Sequence, residues 1–269
     1  MKRIAAILLA LLLLLSGCAK TEVQETQKSQ EAREIRVAII DTGLSTQAIP
    51  SENMAQGANY LLPESTTEDT YGHGTAVASV ILAHSDNAIL VPLVSNVYDR
   101  GKVSFVDNAT FAQMIRDAVD IYECEIINIS AGLVLDKEAI REAIAHAEEM
   151  GALVVASAGN DYLENPGQIY YPAAYETVLA VGSLTADGTQ IAEFSQRDTW
   201  VDLFAPGEEI SVLTLSGGST TEKGSSYAAA RVTAAAVGYL QKNADLSPAE
   251  LRALLIREAE AYGALANAE

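Results

Sequence analysis

Gly224-Ser225-Ser226-Tyr227-Ala228 is the stretch on which the interpretation of this sequence depends. Its second serine opens an Ala-rich segment, Ser226–Leu240, that is typical of a buried helix. Two short motifs precede it, Ile39-Ile40-Asp41-Thr42-Gly43 and Gly72-His73-Gly74-Thr75. The three motifs therefore offer an acid, a base and a nucleophile in the chain order Asp, His, Ser.

The three residue types form a chemical set. A serine hydroxyl is a weak nucleophile until a base accepts its proton, and the base needs a carboxylate to hold it in one tautomer. We predict that Asp41 ends a strand, that His73 starts a helix, and that Ser226 starts another helix, whose N-terminus favours negative charge. Each motif alone also occurs as a turn, a cap or a loop, but the ordered set indicates a catalytic triad.

A fourth motif, Ser157-Ala158-Gly159-Asn160, places a side-chain amide after another apolar segment. With the three motifs above, it resembles the subtilisin-family serine proteases, and the resemblance runs from about Ile35 to about Ala259. It implies that Asn160 and the Ser226 N–H bind the oxyanion of the reaction. The departure from the family pattern is Tyr227–Arg231, where the family usually has Met-Ala-Ser-Pro-His.

The resemblance also implies a substrate-binding region. One part is a strand that pairs with the bound peptide along its edge. Tyr170 is expected to fill the floor of the first specificity pocket, or alternatively to point to solvent. A carboxylate at the rim of that pocket is expected to favour a basic group. The residues assigned to substrate binding are Ser130, Ala131, Gly132, Gly159, Asp161 and Tyr170.

Strands and helices alternate along the chain, which predicts an α/β fold with three layers, a mostly parallel sheet covered by helices on both faces. Asp136 is a plausible N-cap for one helix, and Ser247–Glu250 forms a capping box that opens the last one. The predicted strands are 35–40, 88–94, 126–130, 153–157 and 178–181, and the predicted helices are 75–84, 109–122, 136–150, 226–240 and 248 onward.

The N-terminal residues predict export and a lipid anchor. Lys2 and Arg3 precede an apolar run, Ile4–Leu15, that is too short for an ordinary transmembrane helix. Residues 1–17 therefore resemble a bacterial lipoprotein signal peptide, with lipid on Cys18; an uncleaved anchor or an ordinary signal is the alternative. We expect a flexible tether over 18–34, a subtilisin-like catalytic domain over 35–262 and a tail over 263–269.

Composition excludes several partners and cofactors. The net charge of −19 argues against nucleic-acid binding, and no cluster has zinc-ligand spacing. The segment His84–Ala88 is short for the family's tight calcium loop, although Asp86 and Asn87 remain, so no cofactor is expected. Cys124 is expected to be a small buried side chain and not a nucleophile.

Taken together, these features predict a monomeric serine endopeptidase, lipid-anchored on the extracytoplasmic face of the cell membrane. Its partner is a protein or peptide substrate, cleaved through an acyl-enzyme. Two alternatives stay open. One is a non-catalytic peptide-binding lipoprotein of the same fold, and the other is a transpeptidase or macrocyclase, in which an amine replaces water.

Overall fold

The computed structural model describes residues 33–85, 87–99 and 102–261. Seven parallel strands within these ranges form one sheet in the order β2-β3-β1-β6-β7-β8-β9. These strands are β1 (Ile35–Asp41), β2 (Ala58–Asn59), β3 (Ala88–Val94), β6 (Ile126–Ile129), β7 (Leu153–Ser157), β8 (Leu179–Leu184) and β9 (Leu203–Pro206). Two antiparallel hairpins stand apart, β4 (Asn96–Asp99) with β5 (Lys102–Phe105) and β10 (Ile210–Leu213) with β11 (Ser219–Glu222).

Helices cover both faces of the sheet. They are α1 (His73–His84), α2 (Asn108–Asp120), α3 (Glu138–Glu149), α4 (Ser225–Lys242) and α5 (Pro248–Ala261). Val37 and Ile39 pack with α1, α4 and α5, whereas Ala38 and Ile40, on the opposite face of β1, pack with α2 and α3. Burial on both faces explains why the strands are almost continuously apolar. The predicted three-layer α/β fold is confirmed.

A polar contact fixes α4 on the sheet. Thr233 Oγ1 donates to Asn128 Oδ1 at 2.9 Å, and both residues are completely buried. The Asn128 amide in turn donates to Ser130 Oγ at 3.2 Å, at the end of β6. Because buried polar groups are costly to leave unpaired, this contact fixes the position of α4 along β6.

Several element boundaries differ from the predictions. The N-cap of α3 is Lys137 and not Asp136, which instead accepts a hydrogen bond from the Tyr175 hydroxyl at 2.9 Å and pairs with Arg141. The capping box of α5 is present, with the Ser247 N–H donating to Glu250 at 2.9 Å. Both hairpins were missed by the sequence analysis, because short exposed strands such as β5 and β11 carry no apolar periodicity.

Most of the terminal predictions lie outside the described residues. These are the signal peptide over 1–17, Cys18, the tether up to residue 32 and the tail over 263–269. Arg33 is described, and it forms an ion pair with Glu125, so contact with the domain begins inside the predicted tether. In the described ranges, no helix combines the length and apolar character that a membrane span requires.

Two glycines allow the end of β1 to touch the start of α1. A Cβ atom on Gly74 would lie 2.3 Å from the Gly43 carbonyl oxygen and 3.2 Å from Asp41 Cβ. The Gly74 N–H donates to Thr42 Oγ1 at 2.9 Å, so the contact also satisfies a first-turn donor of the helix. A side chain at position 74 would push α1 away from β1.

We expect Gly74→Ala to destabilise the domain by about 1–3 kcal/mol, because the added methyl group overpacks a backbone contact. Gly238→Ala is the matched control, since a Cβ atom there meets nothing within 4 Å. It lies inside α4, so it should be neutral or stabilising by up to about 1 kcal/mol. Urea unfolding measures both variants, and equal midpoints would contradict the packing argument.

Candidate active site

The candidate triad residues are brought to one edge of the sheet. Asp41 is the last residue of β1, and Asn160 follows β7. His73 and Ser226 lie in the first turns of α1 and α4. Because parallel strands end at the same edge, residues distant in sequence meet there, as in other open α/β sheets.

Asp41 and His73 form a close pair. His73 Nδ1 lies 2.8 Å from Asp41 Oδ1 and 2.9 Å from Oδ2, and Asp41 is only 3% exposed. Burial lowers the pKa of His73, but the charge and hydrogen bond of Asp41 outweigh burial, so the pKa is raised overall. The pairing leaves Nε2 as the ring nitrogen that is free to exchange a proton with another group.

Asp69 supports His73 and was missed by the sequence analysis. It is 3% exposed and accepts from the Tyr71 and Gly72 N–H groups and from both the N–H and hydroxyl of Thr75, at 2.7–2.9 Å. It thus binds the loop before α1 and the first turn of α1 together. Its signal in the sequence was an aspartate four residues before His73, in a position to accept helix N-terminal donors.

Ser226 lies at the N-terminal end of α4. It is 6% exposed, and the next residue, Tyr227, has its ring centroid 6.1 Å from that of His73. Its N–H belongs to the first-turn donors that a helix leaves without an intrahelical acceptor. Across the described part of the chain, the Ser226 hydroxyl forms no hydrogen bond, including none to His73. Catalytic hydrogen bonds are often long without substrate and shorten when it binds.

Asn160 is held by Ser225, a second residue that the sequence analysis missed. Asn160 Oδ1 accepts from both the N–H and the hydroxyl of Ser225 at 2.8 Å, and the Gly159 N–H donates to Ser225 Oγ at 3.1 Å. With Oδ1 occupied, Nδ2 is the end of the amide that remains to donate. Asn160 is therefore oriented as an oxyanion donor would need to be, beside the start of α4.

Three of the predicted substrate-binding residues, Gly132, Gly159 and Asp161, contact Tyr170. Ser130–Gly132 follow β6 and Gly159 follows β7. A Cβ atom on Gly132 would lie 3.1 Å from the Tyr170 ring, and one on Gly159 would lie 2.9 Å from it. The phenol is thus packed between the two segments and does not point to solvent. Tyr171–Pro172 is a cis peptide bond.

Asp161 accepts several hydrogen bonds from neutral side chains. Its carboxylate accepts from the Tyr170 hydroxyl at 2.6 Å, from Asn165 Nδ2 at 2.9 Å and from Gln196 Nε2 at 3.0 Å. Burial raises the pKa of Asp161, but these neutral donors, which orient the carboxylate, lower the pKa overall, so the carboxylate stays ionised. Asp161 therefore holds Tyr170 in place, and its attraction for a basic substrate group stays a prediction.

A small apolar pocket of about 100 Å³ adjoins Ala131 and Gly132. Phe105 from β5 and Phe111 from α2 form part of its wall. No local sequence pattern indicates this pocket, because it depends on the β4–β5 hairpin.

Other reactive side chains do not join this site. Burial raises the pKa of the Cys124 thiol to about 12, so the thiol stays protonated at neutral pH. His146 Nε2 lies 2.8 Å from Asp120 Oδ1, on the other side of the sheet from α1 and α4. Within the residues that are described, no three His, Cys, Asp or Glu side chains stand close enough to hold a metal ion.

The predicted loss of the calcium loop concerns His84–Ala88, of which Asp86 lies outside the described residues. The Ser85 hydroxyl donates to the Ile81 carbonyl at 2.7 Å, and the Asn87 carbonyl accepts from the Ile35 N–H at 3.1 Å. The absence of a tight calcium site in this segment therefore stays a prediction.

Comparison with known proteins agrees with the geometry. The chain is 32% identical over 236 residues to an alkaline protease of Alkalihalobacillus alcalophilus, over 85% of this chain and 60% of that protein. It is 32% identical over 235 residues to Subtilisin Savinase of Lederbergia lenta, which covers 85% of this chain and 84% of that protein. Fervidolysin from Fervidobacterium pennivorans, a keratinolytic enzyme related to subtilisin, matches with a TM-score of 0.73 and 27% identity, over 83% of this chain and 38% of that one.

The chain spans only about 60% of the length of the alkaline protease. However, residues 32–269, nearly all of the sequence outside the N-terminal segment, match the profile of the Subtilase family. The sheet order, the Asp41–His73 pair and the position of Ser226 agree with that match. The chain therefore belongs to the Subtilase family.

Proposed function

We propose that the protein is a serine endopeptidase that hydrolyses peptide bonds through an acyl-enzyme. The observation that carries the proposal is the His73–Asp41 pair, at 2.8 Å, beside the N-terminus of α4 where Ser226 lies. Ser226 attacks the peptide carbonyl, and His73 takes the hydroxyl proton and then gives it to the leaving amine. Asp41 orients His73 and stabilises its charged form.

The oxyanion that forms on the carbonyl is stabilised by two donors. One is the Ser226 N–H at the positive end of α4. The other is Asn160 Nδ2, directed by the two hydrogen bonds from Ser225 to Oδ1. No metal has a role in these steps, and we propose that neither the activity nor the stability of the domain depends on tightly bound calcium.

We further propose that the protein works outside the cytoplasm as a lipid-anchored monomer. The support is the sequence Leu15-Ser16-Gly17-Cys18 after an apolar run. The catalytic site needs a peptide as its partner, and the net charge of −19 disfavours nucleic acid.

The triad assignment predicts two losses of different size. Ser226→Ala should lower turnover by about 10⁶-fold, because it removes the nucleophile. Asn160→Ala should lower turnover by roughly 10²–10³-fold, because it removes a single oxyanion donor. Peptide hydrolysis, followed by mass spectrometry, measures both. A fluorophosphonate probe should label wild-type protein and Asn160→Ala but not Ser226→Ala. Probe on another residue would disprove the assignment, and ligated products would indicate a transpeptidase.

The packing of Tyr170 predicts cleavage after small residues. In the wild type, the phenol excludes a large aromatic side chain from the pocket between Gly132 and Gly159. Tyr170→Gly should therefore raise kcat/KM for Phe before the cut, relative to Ala, by about tenfold or more. Tyr170→Phe is the control, because it keeps the ring and removes only the hydroxyl, and it should keep the preference for Ala. A wild-type preference for Phe would contradict the prediction.

The anchoring proposal predicts that the wild-type protein partitions with membranes after export, because acyl chains on Cys18 bury many methylene groups in the bilayer. Cys18→Ser should be released or left unprocessed. Cys124→Ser is the matched control, since that thiol is buried in the domain, and it should stay with the membrane. Fractionation and mass spectrometry of the N-terminus decide this, and an unmodified Cys18 in soluble wild-type protein would refute the anchor.

A further inference from the structure

A cavity of about 520 Å³ opens beside His73, between the start of α1 and the β10–β11 hairpin. Its walls include Tyr71 and Tyr227 on the side of the catalytic centre and Leu215 and Thr220 on the side of the hairpin. Its volume falls in the range of roughly 300–1,000 Å³ that is typical of ligand pockets. None of the proposed steps of hydrolysis uses this cavity.

Glu222, the last residue of β11, lines the cavity and is exposed. Throughout the described ranges its carboxylate forms no ion pair and no hydrogen bond. The neighbouring Lys223 forms no ion pair with Glu222 in the described structure, and its Nζ lies over the Phe194 ring, 5.4 Å from the ring centroid. No Lys or Arg is among the described residues that line the cavity. Apart from Glu222, its titratable lining residues are His73 and tyrosines.

The charge of Glu222 reaches the catalytic centre. Burial raises the pKa of Tyr227, and the charge of Glu222 raises it further. Glu222 also adds a small contribution to the raised pKa of His73, after the larger contributions of Asp41 and Asp69. A cation that enters the cavity would therefore come under the influence of a carboxylate that has no other partner.

The position of the cavity indicates which part of a peptide it would hold. The residues predicted to bind the part of the peptide before the cut, here called the acyl side, are Ser130–Gly132 and Gly159. Gly132 and Gly159 pack against Tyr170, and none of these residues lines the cavity. In the proposed reaction the oxygen of the scissile carbonyl points to Asn160. The leaving amine lies on the side of His73, because His73 must protonate it. The chain after the cut therefore leaves past His73, into the cavity.

We propose that Glu222 is a specificity-determining residue that selects substrates with Lys or Arg immediately after the scissile bond. The inference rests on the proposed peptidase activity and deepens it by naming the chemical class of one substrate position. The apolar stem of such a side chain would pack on Tyr227 and Leu215, and its charged end would meet Glu222. The carboxylate of Asp161, by contrast, is held by the neutral side chains of Tyr170, Asn165 and Gln196.

The test uses one peptide with Ala before a single mapped cut and with Lys, norleucine or Glu after it. Wild-type kcat/KM should favour Lys over norleucine by about fivefold and over Glu by about twentyfold, as expected for a partly exposed charge pair. Glu222→Gln should bring the Lys to norleucine ratio close to one, and Glu222→Lys should favour Glu. The ratio should also fall in high salt.

Glu209→Gln is the matched control. Glu209 precedes β10 in the same hairpin region, and its substitution by Gln removes the same charge. Glu209 does not line the cavity. It should keep the wild-type ratio. Equal ratios for Lys and norleucine in the wild type, or an equal loss in Glu209→Gln and Glu222→Gln, would overturn this inference and leave the peptidase proposal intact. Absence of all cleavage together with absence of probe on Ser226 would overturn the peptidase proposal and this inference with it.

Discussion

The close backbone contact between Gly43 and Gly74 is the constraint on which the catalytic geometry depends. Because Gly43 and Gly74 lack side chains, the loop after β1 can touch the first turn of α1. This contact brings His73 within 2.8 Å of Asp41 although 32 residues separate them. Asp69 and Thr42 then occupy the donors of the helix start, so the packing that forms the pair also satisfies the backbone around it.

The other half of the site depends on polar contacts that tie α4 to the sheet. Ser225 connects the start of α4 to Asn160 after β7, and Thr233 connects the same helix to Asn128 in β6. The two contacts lie eight residues apart along one helix, so they fix both its height and its rotation. Ser226 and Tyr227 are thereby presented to His73 by a helix that has little freedom to move.

The cleft is asymmetric, and the asymmetry has a physical cause on each side. On the acyl side, Tyr170 occupies the space between Gly132 and Gly159, and its hydroxyl is held by Asp161. On the other side of His73, the β10–β11 hairpin borders a wide cavity lined by Glu222, a carboxylate without an ion pair among the described residues. The proposed specificity therefore depends on volume on the first side and on charge on the second.

Local patterns in the sequence were sufficient to predict the layers of the fold. They were also sufficient to predict that Asp41 ends a strand and that His73 and Ser226 begin helices. Apolar runs and glycines report burial and turns directly, because their physical cause lies within a few residues. The same patterns failed at Asp136, where a tyrosine from a distant segment competes for the carboxylate. The tertiary structure alone decided that Ser225 holds Asn160, that Tyr170, Asn165 and Gln196 donate to Asp161 and that Glu222 and His73 line one cavity. Each of these depends on which side chains from distant segments meet, and a single stretch of sequence does not record such distances.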